Sequence, residues 1–172
     1  RAEIAHLESI SASLDIAVSE DDLAQIKEEL IDAGYIHRRQ QSSKKAKFTS
    51  KPLHYISSDG FDIYVGKNNF QNDELTFKFA NGNDWWFHAK NMAGSHVILR
   101  TEGKEIPDRT FEEAAALAAH YSKGNGQDKV EVDYVLKKEV KKPAAAKPGF
   151  VVYYTNYSMV ASTRIDGIKQ YS

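Results

Sequence analysis

Apolar positions recur with two different periods, and the change of period divides the chain. Ile4, Leu7, Ile10 and Leu14 follow helical spacing, as do Leu23, Ile26, Leu30 and Ala33. The first set predicts the end of a helix over 1–14. The second predicts another helix, opened by the capping-box-like pair Ser19 and Asp22 and stopped by Gly34. From Pro52 the period becomes two. Leu53–Ser57 and Phe61–Val65 flank the turn signal Ser58-Asp59-Gly60. Leu75, Phe77 and Phe79 also alternate, but Asn72-Asp73-Glu74 resembles a helix start, so a short helix is expected there. Asp84–Arg100 reads as a hairpin about Asn91–Gly94. Thr110-Phe111-Glu112-Glu113 has the form of a capping box. The helix after it carries Phe111, Ala114, Ala115, Ala118 and Tyr121 on one face. Val130–Leu136, Phe150–Tyr154 and Met159–Thr163 supply the last expected strands. This order predicts an α+β fold: a mainly antiparallel sheet with one long packed helix, preceded by a small helical segment from a coiled-coil base. The expected division is a helical region over 1–36, a basic linker over 37–51 and a main domain over 52–172.

The hairpin carries the chemistry. Alternate residues of a strand point to opposite faces. Trp85, Phe87 and Ala89 therefore form a core face, while Asp84, Trp86, His88 and Lys90 form the other. Register decides the return strand. With Lys90 opposite Ser95, His96 and Arg100 would enter the core, burying a charge. With Lys90 opposite His96, Val97 and Leu99 join the core instead, and this register is expected. It gathers Trp86, His88, Lys90, His96 and Arg100 on one solvent-facing surface, where a flat ring among cations suits an unpaired base and its phosphate. Gly94 reads as a turn needing a permissive backbone, with Ser95 capping it.

Charge is local rather than global. Across 172 residues the net charge is −1, so any nucleic-acid contact must come from patches. One patch is the linker, with Arg38, Arg39, Lys44, Lys45, Lys47 and Lys51 and no acid. A second is the loop over 137–149, with Lys137, Lys138, Lys141, Lys142 and Lys147 against Glu139. Asn68, Asn69 and Asn72 lie close together in Gly66–Asn72, as backbone caps or as amides that bond a polar ligand. The chain has no cysteine, which removes disulfides and thiolate metal sites and is compatible with a reducing cytoplasm. It shows no secretory signal and no apolar run of membrane-spanning length, and Arg1 in place of Met predicts a piece of something longer. No cofactor is expected. Gly66–Asn72 lacks the phosphate-loop pattern, and no Ser/His/Asp order is compelling. An enzyme holding a metal through His88, His96 and Asp84 is the rival, but the spacing matches no established metal motif.

The residues also resemble a known family. Asp59-Gly60, Val65–Asn69, Gln71–Asp73, Leu75-Thr76 and above all Asp84–Arg100 are similar to the NFACT-R domain of the RqcH/NEMF family. Ala114-Ala115, Ala118, Tyr121-Ser122, Val140–Lys142 and Lys147–Gly149 support the likeness, which covers roughly 52–163. Its bacterial members are often labelled fibronectin-binding proteins. The resemblance implies a non-enzymatic RNA-binding module of a cytoplasmic ribosome quality control factor. Such factors bind obstructed large ribosomal subunits and, through the full-length protein, peptidyl-tRNA or alanyl-tRNA, extending stalled chains with alanine. It carries over Asp84, Trp86, His88, Lys90, Gly94, Ser95, His96, Asn68, Asn69 and Asn72. In the expected roles Trp86 and His88 stack on bases or ribose, Lys90 and Arg100 meet phosphate, and the asparagines bond base edges or 2′-hydroxyls. Lys141, Lys142 and Lys147 join them as candidate RNA contacts. A fibronectin-binding surface adhesin is the alternative that the family label suggests.

Overall fold

Among the described residues seven strands pair antiparallel in one sheet: β1 (Leu53–Ile56), β2 (Asp62–Val65), β3 (Trp85–Ala89), β4 (Val97–Leu99), β5 (Lys129–Leu136), β6 (Tyr157–Ser162) and β7 (Lys169–Tyr171). Their order across the sheet is β6-β5-β3-β4-β2-β1-β7, so the expected hairpin lies at its centre. Among the described residues four α-helices accompany the sheet: α1 (Ala2–Ile16), α2 (Glu20–Asp32), α3 (Asn69–Glu74) and α4 (Asp108–His120). The computed structural model describes residues 2–37 and 50–171. The linker cations Arg38, Arg39, Lys44, Lys45 and Lys47 therefore lie outside the described residues.

The α+β class and the antiparallel sheet stand as expected. One face of the sheet is closed by α4, whose run Ala114–Ala119 is wholly buried. Small side chains let the helix approach Phe87, Ala89, Val97, Leu99 and Val132, all completely buried. Pro107 precedes α4 and no side chain caps it; Thr110 bonds Ser57 and Asp59 rather than forming the expected box.

The opposite face is not open to solvent. The chain there runs from α3 into a π-helical turn, Leu75–Phe79, which lays Leu75 and Phe77 over Trp86 and Ile98. The segment after β5 crosses the same face with Val140, Val151 and Tyr153. Phe150–Tyr154, expected as a strand, forms only a single bridge, Lys141 with Val152. The central strands are thus covered on both sides, whereas the edge strands β6 and β7 stay largely exposed.

Two apolar stripes also differ from expectation. Ile4, Leu7, Leu14 and Leu23 are exposed, whereas α1 and α2 bury His6, Ile10, Asp22, Gln25, Ile26 and Glu29. The helical pair docks through hydrogen bonds instead. Its N-terminal cap is as expected: Ser19 accepts from the Asp22 amide at 3.1 Å.

Candidate nucleic-acid interface

The face assignment of the hairpin stands, but its register and exposure do not. Trp86 pairs with Ile98 and Phe87 with Val97, whereas the expected register sets Trp86 opposite Arg100. A shift of two residues leaves the faces unchanged. Trp86, His88 and His96 do share one face, with Trp86 and His88 ring centroids 5.6 Å apart and nearly parallel. His96 meets both rings edge-on at 5.2 and 5.7 Å. Trp86 is only 1% exposed and His96 2%. The expected solvent-facing platform is therefore corrected: the π-helical turn and the 149–153 segment bury Trp86 and His96, while His88 stays half-exposed at a cleft.

Each expected cation of that face has an acid beside it. Lys90 lies 3.2 Å from Asp133 and 3.6 Å from Glu131, and donates to Ser158. Arg100 pairs with Asp84 at 3.0 Å and lies over the Phe79 ring. Asp84 accepts from the amides of Asn81 and Thr101 at 2.9 and 3.0 Å, tying the base of the hairpin together.

The three asparagines are corrected from ligand groups to internal fasteners, since all are buried. Asn68 caps α3 by accepting from the Gln71 amide, and donates to Gln25 of α2 at 2.7 Å. Asn69 donates to Ser9 and Glu29. Asn72 accepts from the His96 amide at 3.1 Å. Gly94 is likewise corrected, because it owes its identity to close approach rather than to a turn: a Cβ there would lie 2.9 Å from the Ser122 Cβ and 3.2 Å from its Cα. Asn91, at φ 55°, makes the left-handed turn instead. Ser95 caps no turn; its amide donates to the Tyr121 carbonyl and its hydroxyl has no partner.

The two histidines have distinct protonation chemistry. His96 Nε2 donates to the Gly149 carbonyl at 3.0 Å, which leaves Nδ1 to accept from Thr76 at 2.8 Å. Burial, with His88 nearby, pushes its pKa down to about 3. His88 Nδ1 donates to the Ala89 carbonyl at 2.6 Å, and burial lowers its pKa as well. Both rings are neutral near pH 7 and give no charge switch there. Of the residues named for the metal rival, both His96 nitrogens and both Asp84 oxygens form bonds within the fold. Among the described residues no cluster of three or more His, Asp or Glu is arranged to hold an ion.

A cavity of about 350 Å³ remains beside the rings. Trp86, His88, Met92 and His96 border it on the sheet side, Phe150, Val151 and Tyr153 on the other, and Glu8 and Ser9 of α1 complete it. The Trp86 indole N–H is buried without a partner. Tyr153 donates to Asp133 at 2.7 Å. Burial works to raise the Asp133 carboxyl, but bonds from Ser158, Tyr153 and Lys90 hold it below its ordinary range. Phe150, Tyr153 and Thr76 escaped the sequence reading. An aromatic pair in a stretch read as an ordinary strand was the available signal.

The lysines of 137–149 are placed differently from the buried rings. Lys141, Lys142 and Lys147 are exposed. Lys142 donates to Asp73 at 2.8 Å, and the other oxygen of Asp73 accepts from the Gly149 amide at 3.1 Å. This loop leads directly into the cavity wall. The structure thus brings the basic loop next to the buried rings, with Asn69, Gly94 and His96 in the same wall, while Lys90 and Arg100 are held in ion pairs.

Residues 51–155 match the family described as the NFACT protein RNA binding domain. The chain is 41% identical over 170 residues to the Rqc2 homolog RqcH of Streptococcus suis, a match covering 98% of this chain and 30% of that protein. To the Rqc2 homolog RqcH of Bacillus subtilis it is 38% identical over 168 residues, 96% of this chain and 29% of the relative. It therefore spans less than a third of the length of these relatives. Among solved structures, the C-terminal part of the fibronectin/fibrinogen-binding protein from Streptococcus suis superposes with TM-score 0.87 at 40% identity, covering 98% of this chain and 68% of that one. Among the described residues no helix is long and apolar enough to cross a membrane.

Proposed function

Since this chain belongs to the NFACT protein RNA-binding domain family, we propose that it is a non-enzymatic RNA-binding module of a ribosome quality control factor. In this reading it docks on rRNA of obstructed large ribosomal subunits in the cytoplasm. The full-length protein would engage peptidyl-tRNA or alanyl-tRNA there and support alanine tailing of stalled chains. The observation that carries the reading is the exposure of Lys141, Lys142 and Lys147 on a single loop within the matched domain. Phosphate contacts need accessible cations, and these three lysines are exposed whereas Lys90 and Arg100 are half-buried beside Asp133 and Asp84.

Salt titration of binding to purified large subunits tests this. Affinity is expected to fall as salt rises, and each lost phosphate contact lowers the log–log slope by roughly 0.7–0.9. Replacing Lys141, Lys142 and Lys147 by alanine should flatten the slope accordingly. An unchanged slope removes the loop from the interface.

A second reading follows from the solved relative, named for binding fibronectin and fibrinogen. Immobilised fibronectin exposed to this chain tests it. Saturable binding that persists in the triple lysine variant would place that activity on another surface.

A further inference from the structure

The cavity beside Trp86 opens to solvent along Ala5, Glu8 and Asn91, and its volume of about 350 Å³ lies within the size range of small-ligand sites. Its walls are flat rings: Trp86 and His88 in parallel on the sheet side, with Phe150 and Tyr153 among the residues opposite. Polar groups suited to a heterocycle accompany them. The Trp86 N–H has no acceptor. In the neutral ring His88 keeps Nε2 as an acceptor, because Nδ1 donates to the Ala89 carbonyl. A buried donor without a partner is costly and rare, and a bound acceptor would resolve it.

We infer that this cavity receives a single unstacked nucleobase, held against the Trp86–His88 face by Phe150, while the sugar–phosphate chain leaves across the 137–149 loop. The inference rests on the RNA-binding reading and deepens it by naming the unit recognised. A base offers what the walls lack. It is planar, carries an acceptor for the indole N–H, and carries an N–H for the imidazole. Glu8, also in the wall, offers a carboxylate to a ribose hydroxyl. Fixed walls favour this occupant. Gly149, at φ 83°, lies so close to Asn69 that a Cβ would meet its Oδ1 at 2.6 Å, and its carbonyl is bound by His96. One wall of the slot is thereby anchored to the sheet before any ligand arrives, which lowers the ordering cost of binding.

The test uses the whole chain with its tryptophans labelled by nitrogen-15, titrated separately with AMP, GMP, CMP and UMP and, as a control, ribose 5-phosphate. Binding of an RNA oligonucleotide is measured in parallel. The Trp86 indole resonance should shift saturably with at least one nucleotide while that of Trp85, which packs on Phe111 and Tyr134, stays in place. Phe150→Ala should weaken the effect about tenfold, the loss expected for one base–aromatic contact. An unmoved Trp85 signal in that variant reports an intact fold. An equal shift with ribose 5-phosphate overturns the base assignment. No shift with any nucleotide, in a chain that still binds the oligonucleotide, overturns the slot and leaves the RNA reading standing. If neither nucleotide nor oligonucleotide binds, both fall.

Discussion

The two sides of the sheet are buried by different means. Toward α4 the contact is mostly alanine, valine, leucine, isoleucine and phenylalanine, with one hydroxyl pair, Tyr55 and Tyr121, and Ala114–Ala119 bring no polar side chain to it. Toward α3 the contact mixes Trp86 and Ile98 with His96, Thr76 and Asn72, and extends into the Asn69–Glu29 and Asn68–Gln25 bonds that seat the helical pair. Apolar area tolerates small adjustments of geometry. Buried hydrogen bonds do not, because a lost partner leaves an unpaired group in a medium without water. The first side supplies stability, while the second holds specific groups in specific places.

Truncating one ring on each side probes this directly. Phe87→Ala and Trp86→Ala should each lower unfolding free energy by about 3–5 kcal/mol in denaturant melts. A Trp86→Ala chain as stable as its parent would return that indole to the surface. Removing one fastener should act more locally. Asn69→Ala takes one donor from Glu29, which keeps His6, and the donor to the Ser9 hydroxyl, and should cost about 1–3 kcal/mol. Hydrogen exchange should then quicken in α1 and α2 while β3 and β5 stay protected.

Acid should weaken the mixed side. His96 binds a proton in the unfolded chain below about pH 6.5 but in the folded chain only near pH 3. Its contribution is complete above the unfolded pKa and is lost as pH falls from there toward 3, by up to about 1.4 kcal/mol per pH unit. His88, also lowered, adds in the same direction. His96→Gln should flatten the slope between pH 6 and 4 in melts at stepped pH, while Phe87→Ala shifts the whole curve without changing its slope. The smallest effect belongs to Lys142→Ala. Its pair with Asp73 is partly exposed and should contribute under about 1 kcal/mol, so melting should barely change even where RNA affinity drops.

Much of this fold was legible in the residues. Period-two segments, turn signals and the alanine-rich helix gave the class, the central hairpin and one core face. The second core face was missed because Trp86, His88 and Lys90 alternate like a solvated surface. Nothing local to β3 announces that a π-helical turn and a returning loop will cover it. The asparagines were misassigned for a related reason. An amide looks the same in sequence whether it waits for a ligand or fastens a helix, and only the positions of Gln25 and Glu29 decide. The stripes of α1 and α2 were misread because helical spacing shows a face without showing which face docks. The basic loop over 137–149 was read correctly as a loop, since its lysines and closing Pro148-Gly149 resist burial.

Asp73 hangs the middle and the end of that loop from one carboxylate, through Lys142 and the Gly149 amide. Gly149 in turn is the acceptor that His96 reaches for. A polyanion that draws Lys142 outward therefore tugs on the same hinge pin that steadies the innermost imidazole. An event at the rim and the shape of the interior are joined by a lever one side chain long.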